Sequence, residues 1–238
     1  MFENIKNKNC LITGATSGIG RKLVELLLEN HCNVFLTSKH NSKLKNLVKS
    51  LEYNDSKIFY HATDLSKISE IKLLIKKVRK NLTSIDILIN CAGIFKIKPI
   101  SSTTLDDYDI CMSINLKAPF ILSKEFSKDM IKKKWGRIVN IGSSSSYSAF
   151  MNTSVYCTSK HGLLGLTRAL QIELKPHNVR VFCISPSSTK TDLAKISTDQ
   201  DYSTFLDPQE VANFVIYVIS FDSEMVVDEI RLNRMIIK

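Results

Sequence analysis

The sequence predicts an α/β fold, one doubly wound parallel sheet with helices on both faces. Three observations carry this. Short apolar runs of strand length alternate with longer stretches of helical period along the whole chain. The runs stand about 20 to 45 residues apart, which leaves room for a crossover helix between parallel strands. A glycine-spaced turn joins the first run to the first helical stretch. The 238 residues show no internal repeat, no Pro/Gly-rich linker and no break in composition. Residues 1–238 are therefore expected to form a single domain.

Each element follows from its own pattern. "NCLITG" (9–14) reads as a buried strand, and in the helix expected over 18–30 Ile19, Leu23, Leu26 and Leu27 share one face. "NVFLT" (33–37) is the second strand and "KIFYH" (57–61) the third. A helix near 66–80 leads to the strand "IDILIN" (85–90). A long helical stretch over 105–132 precedes "GRIVNIG" (136–142), and a second over 154–175 precedes "VRVFCIS" (179–185). After an irregular polar segment come a helix near 208–220 and a last strand in "VVDEIRL" (226–232).

Composition narrows the function classes. Apolar residues at 44% and charged residues at 24% are ordinary for a globular protein. The formal charge of +10 suits an anionic partner (nucleic acid, an acidic carrier protein, a phosphorylated cofactor) or simply a solvated lysine-rich surface. The lysines are dispersed, with Lys132-Lys133-Lys134 the longest run, and no basic-aromatic stripe supports a nucleic-acid partner. Cys10, Cys32, Cys91, Cys111, Cys157 and Cys183 form no CxxC pair and sit mostly in apolar runs, as buried thiols of a reducing compartment do. The five histidines lack ligand spacing to them, so no metal is expected. With no secretory signal pattern and no membrane-length apolar stretch, the expected location is the cytoplasm.

The turn Thr13-Gly14-Ala15-Thr16-Ser17-Gly18-Ile19-Gly20 directly follows a strand and opens an amphipathic helix, the context a dinucleotide-binding turn requires. Gly14 permits the tight turn, Gly18 a close pyrophosphate, and Gly20 close packing of helix on strand. Amides at the helix start, across Thr16, Ser17, Gly18 and Ile19, favour anionic phosphates. At the end of the second strand, Leu36-Thr37-Ser38-Lys39-His40 contains no carboxylate to hold a ribose 2′-hydroxyl. Ser38 and Lys39 suit a 2′-phosphate, so NADP(H) is expected in preference to NAD(H). Lys39 as a merely solvated turn residue is the alternative.

With these motifs placed, the whole chain resembles the short-chain dehydrogenase/reductase family and its Rossmann fold, in particular 3-oxoacyl-acyl-carrier-protein reductases and related NADP-dependent carbonyl reductases. Asn90-Cys91-Ala92-Gly93 resembles the family's Asn-Asn-Ala-Gly motif, with cysteine for the second asparagine. Asp64-Leu65 matches the pair after the third strand, and the resemblance implies that the aspartate contacts adenine. Ser143 stands thirteen residues before Tyr156, and Lys160 completes Tyr-x-x-x-Lys. Asn115 matches the family's helix asparagine, Pro186 precedes the loop beside the nicotinamide, and Thr191 matches a threonine that contacts the carboxamide or a nearby phosphate. The implied catalytic set is Asn115, Ser143, Tyr156 and Lys160.

The chemistry of that set is plain. Tyr156 and Lys160 share a helix face one turn apart. Reducing a carbonyl needs a proton on oxygen as well as a hydride on carbon. A phenol titrating near pH ~10 is expected to be brought down by the Lys160 ammonium into a useful acid/base range. Ser143 can donate to the oxygen as charge develops. The resemblance implies that Lys160 also holds the ribose and that Asn115 anchors a relay water.

Departures from the family are Cys91, Ser187 in place of a glycine after Pro186, and a C-terminal "VVDEIRLNRMIIK" without a glycine-rich tail. A homodimer or homotetramer packing the 105–132 and 154–175 helices is the implied assembly. The segment 187–206 is expected to form a substrate lid, and its Lys190, Lys195, Asp199, Asp201 and Tyr202 define no readable pocket. The substrate is expected to be a small-molecule or carrier-bound carbonyl. A non-catalytic NADP-sensing module of the same fold is the rival reading.

Overall fold

The computed structural model describes residues 2–51, 55–196 and 200–235. Seven apolar runs pair entirely in parallel: β1 (Asn9–Thr13), β2 (Asn33–Ser38), β3 (Ile58–Ala62), β4 (Ile87–Asn90), β5 (Gly136–Ile141), β6 (Val179–Pro186) and β7 (Glu229–Leu232). Their order across the sheet is β3-β2-β1-β4-β5-β6-β7. The connecting helices are α1 (Gly18–Glu29), α2 (Asn41–Ser50), α3 (Ile68–Asn81), α4 (Leu105–Met112), α5 (Ala118–Lys133), α6 (Ser154–Leu174) and α7 (Pro208–Ile219).

Side chains alternate along the central strands into two cores. Cys10 and Ile12, Val34 and Leu36, Ile87 and Ile89 join Leu23 and Leu27 of α1 and Val211 and Val215 of α7 on one face. Leu11, Phe35, Leu88 and Ile138 turn the other way, onto Leu74 of α3 and Phe126 of α5. A parallel sheet covered on both faces reads as continuous apolar runs, and every residue of β4 and β5 is buried. Each fully buried Leu, Ile or Phe contributes about 1.5–3 kcal/mol, so this double layer is the main source of stability.

The strands expected from the sequence all form, within a residue or two at their ends except β7, which begins at Glu229 rather than 226. Two local features differ from expectation. Residues 41–50 form α2, whose run NSKLKNLVKS buries only Leu44 and Leu47 and carries little periodic signal. The 105–132 stretch is not one regular helix, because Ser113–Lys117 winds as a π turn between α4 and α5. Pro119, at the start of α5, lacks the N–H that a regular α ladder would use there.

The connections leave β1 toward β2 on one side and, after β3, cross to β4 on the other. The sheet therefore has its switch point between the C-terminal ends of β1 and β4, where a crevice opens. Among the described residues no helix is long and apolar enough to cross a membrane.

Candidate active site

The glycine turn sits at that crevice. Gly14 has φ +68°, and a Cβ there would stand 2.9 Å from the Ala92 backbone. Gly18 has φ +52°, and a Cβ would meet the Thr191 Cγ2 at 2.6 Å. Side chains other than hydrogen are excluded at both positions. Gly20 packs directly on the Gly14 carbonyl. Ser17 begins α1 without a side-chain cap, and the first turn carries no acidic residue, so the opening amides face the crevice uncapped.

Beyond the turn, the Ser38 hydroxyl at the end of β2 is buried without a partner. The Lys39 Nζ lies 3.0 Å from the Asp64 carboxylate after β3. A hydrogen bond from Ser66 and the Lys39 ammonium draw the Asp64 carboxyl down to about 2. Leu65 turns into the core. This ion pair crosses two strands, which no sequence spacing could show.

The Asn90–Gly93 segment is fastened from two sides. Asn90 donates to Asn140 at 2.8 Å, and Asn140 donates to Thr167 of α6 at 2.9 Å. The Asn90 side chain thus points into the sheet. The Thr13 hydroxyl accepts from both the Cys91 and Ala92 amides at 3.1 Å. That link holds β4 to β1 where cysteine replaces the family's second asparagine. Sequence reading missed Thr13 in this role, although it opens the glycine turn.

Asn115 sits in the π turn. Its Oδ1 accepts from the Ile94 amide at 2.9 Å, and its Nδ2 donates to the Ile94 carbonyl at 3.0 Å and to the Ser159 hydroxyl at 3.0 Å. The side chain positions the strand exit beside Gly93, where a Cβ would lie 3.5 Å from Asn115 Oδ1 and 3.9 Å from Lys160 Nζ. Ser159 has no motif of its own and could not be foreseen.

Ser143 follows β5, and its hydroxyl accepts from the Ser145 amide at 3.1 Å, which fixes it on the short turn Ser144–Ser146. Tyr156, near the start of α6, packs its ring on Phe95 at 4.6 Å between centroids, and the Ser143 side chain is near enough to draw its phenol downward in part. Lys160 is buried, donates to the Ile141 carbonyl at 2.7 Å and stands 5.7 Å from the Tyr156 ring centroid. The structure therefore brings Ser143, Tyr156, Lys160 and Asn115 together at the crevice.

Its electrostatics differ from the expectation. Burial pushes the Tyr156 phenol up to about 12, only partly opposed by the nearby Ser143 hydroxyl. Burial also pushes the Lys160 ammonium down. The lysine points at Ile141 rather than at the phenol oxygen, so desolvation outweighs its charge.

Pro186 ends β6 buried, and the Ser187 hydroxyl beyond it is buried and unpartnered. Thr191 lies over Gly18, as noted. The segment 187–206 is tied at both ends by the Thr189–Leu206 bridge and from outside by Arg234, which donates to Thr204 at 3.0 Å and Gln200 at 2.9 Å. Asp199 lies outside the described residues. All six cysteines are free. Among the described residues, no three His, Cys, Asp or Glu side chains are grouped to hold a metal ion.

Comparison with known proteins agrees with this geometry. The family model for short chain dehydrogenase matches residues 8–201. The 3-oxoacyl-[acyl-carrier-protein] reductase of Aquifex aeolicus (strain VF5) is 31% identical over 231 residues, covering 92% of this chain and 93% of that protein. A 4-hydroxyisoleucine dehydrogenase complexed with NADH superposes with TM-score 0.83 at 32% identity, covering 95% of this chain and 97% of that one. A metagenomic short-chain oxidoreductase in complex with NADP gives TM-score 0.83 at 26% identity, with 98% and 100% coverage. A matched family model over most of the chain, together with Tyr156, Lys160 and the glycine turn gathered at one crevice, makes this protein an oxidoreductase of the short-chain dehydrogenase family.

Proposed function

We propose that the protein reduces a carbonyl to a hydroxyl, and runs the reverse reaction, using a nicotinamide dinucleotide with NADP(H) preferred. The observation that carries this reading is Tyr156 with Ser143 nearby and buried Lys160 one helical turn along α6, 5.7 Å from its ring centroid, beside the glycine turn. The residues fit such a cofactor. Uncapped amides open α1, two glycines hold positive φ, and Gly93 keeps the space before Lys160 free of a side chain. When bound, the nicotinamide supplies or accepts the hydride.

The chain's own groups do the rest. A phenol near 12 is neutral at physiological pH and holds the proton that the carbonyl oxygen needs. Ser143 donates to that oxygen as it gains charge. Gly14, Thr16, Ser17, Gly18, Ile19 and Gly20 would cradle the pyrophosphate, Asp64 with the main chain of Leu65, whose side chain is in the core, would flank the adenine, and Ala92, Gly93, Pro186 and Thr191 would line the nicotinamide end. Lys160 would reach the ribose by leaving the Ile141 carbonyl. Ser38 and Lys39 favour a 2′-phosphate, with Lys39 shared between it and Asp64. Similar chains are described with NADH and with NADP, so the preference rests on these two residues.

Two further readings go with this one. The substrate is a small-molecule or carrier-bound carbonyl, and the similarity to an acyl-carrier reductase makes a 3-oxoacyl thioester one member of the panel to test. The protein acts as a homo-oligomer, a reading supported by the open, mainly apolar groove that Met112, Leu116, Lys117 and Phe120 form with Gly162 and Leu166 of α6. Six free thiols suit a reducing compartment such as the cytoplasm.

Substituting Tyr156→Phe tests the central claim. NADPH oxidation with a responsive carbonyl should fall about 10²- to 10⁴-fold, while cofactor affinity by fluorescence titration stays within about twofold of the wild type. Equal loss of both would make the tyrosine structural.

A further inference from the structure

Beside Tyr156 lies a recess whose other lining residues have no part in the proposed proton chemistry. It is lined by Lys96, Lys98, Asp107, Cys111 and Asn152 as well as Tyr156. Lys96 and Lys98 approach from the chain that leaves β4, and Asp107 comes from the first turn of α4. Each amine takes a different oxygen of the Asp107 carboxylate, both at 2.6 Å. The carboxylate is itself fixed, because it accepts from the Thr104 amide at 3.2 Å in the capping box that starts α4. The Lys98 amide donates to the Asn152 carbonyl at 2.7 Å, which binds this wall to the one that leads into α6 and Tyr156.

The charge count decides what such a recess receives. Two ammonium groups share one carboxylate, which leaves one net positive charge. Each ammonium has three donors, and one on each is engaged with Asp107. Both amines stay partly open to solvent while the carboxylate is largely covered. An incoming anion therefore meets unused N–H groups held in place by Asp107, not a neutralised pair. An uncharged oxygen can accept from the same donors but gains no charge–charge attraction, so it is held less tightly.

We propose that Lys96 and Lys98, held apart by Asp107, form an anion subsite that selects carbonyl substrates carrying a carboxylate or similar anionic group. The proposal rests on the carbonyl-reduction reading of Tyr156 and names the substrate class for it.

The test uses levulinate, a keto acid, and methyl levulinate, its neutral twin, titrated calorimetrically into the protein with no reduced cofactor present, so that binding alone is read. The wild type should bind levulinate about tenfold tighter than the ester, the value of one charge-assisted hydrogen bond. The double variant K96Q/K98Q should lose that preference. D107N, which keeps an acceptor for the α4 cap but frees the positive charge, should enlarge it at least about twofold. Equal affinities in the wild type, a preference retained in K96Q/K98Q, or one lowered in D107N would overturn the subsite. NADPH oxidation separates this from the parent reading. Turnover of both compounds with equal kcat/KM keeps the reductase and removes the subsite. A lysine-dependent binding preference without any turnover keeps the subsite and counts against the reductase.

Discussion

Tyr156 and Lys160 stand one turn apart on α6, yet the cation does not lower the phenol, because Nζ is 2.7 Å from the Ile141 carbonyl and burial governs both groups. The sign of the pH dependence follows. A phenol raised to about 12 stays protonated, so the reduction rate should be flat through neutral pH with respect to this group. Alcohol oxidation needs the phenolate and should rise about tenfold per pH unit below that value. Initial rates in both directions from about pH 6 to about pH 8, within the range where folded proteins are usually most stable, check this, and a falling oxidation rate would contradict it. At the cofactor end, Lys39→Asp removes the cation and sets a second carboxylate against Asp64. The ratio of NADPH to NADH affinity should drop by roughly tenfold or more. An unchanged ratio would leave Lys39 as a surface residue.

At the scale of elements, the junction of β1 with β4 depends on one hydroxyl. Thr13 Oγ1 accepts from two partly buried amides, Cys91 and Ala92, at the edge of the crevice. Thr13→Val preserves shape and removes the acceptor, and should cost about 2 kcal/mol, read as a lower urea midpoint with unchanged slope. Unaltered stability would mean that the two amides find other partners. The strands were legible in the sequence because each apolar run is local, and the glycine turn because its residues are contiguous. α2 was not, since two buried leucines in ten residues leave no clear period. The π turn was hidden as well, because the 105–132 pattern does not show how the chain winds around Pro119. The site was readable as a set of residues but not as a set of contacts. Lys39 with Asp64, Asn115 with Ile94, and Lys96 and Lys98 with Asp107 are pairings that only the folded topology creates.

For the whole molecule, the uncovered apolar face is the feature that points beyond one chain. Phe120 is 48% exposed in a groove with Met112, Leu116, Lys117 and Leu166, and a mainly apolar groove of this kind is a candidate contact face. If the proposed homo-oligomer forms, the wild type should give a multiple of the 26.9 kDa chain mass by light scattering and Phe120→Asp should move it to a single chain. A wild type of monomeric mass at micromolar concentration would remove the oligomer reading.

The sheet order also bears on how the protein is made. β1 needs two neighbours, and they come far apart in time: β2 follows almost at once, but the partner of Cys10 on the other side is Ile87. While the ribosome is adding the residues between, one flank of what becomes an inner strand waits as a bare row of amides and carbonyls. A chaperone that shields the nascent chain over that interval protects this protein where it is most open to false pairing.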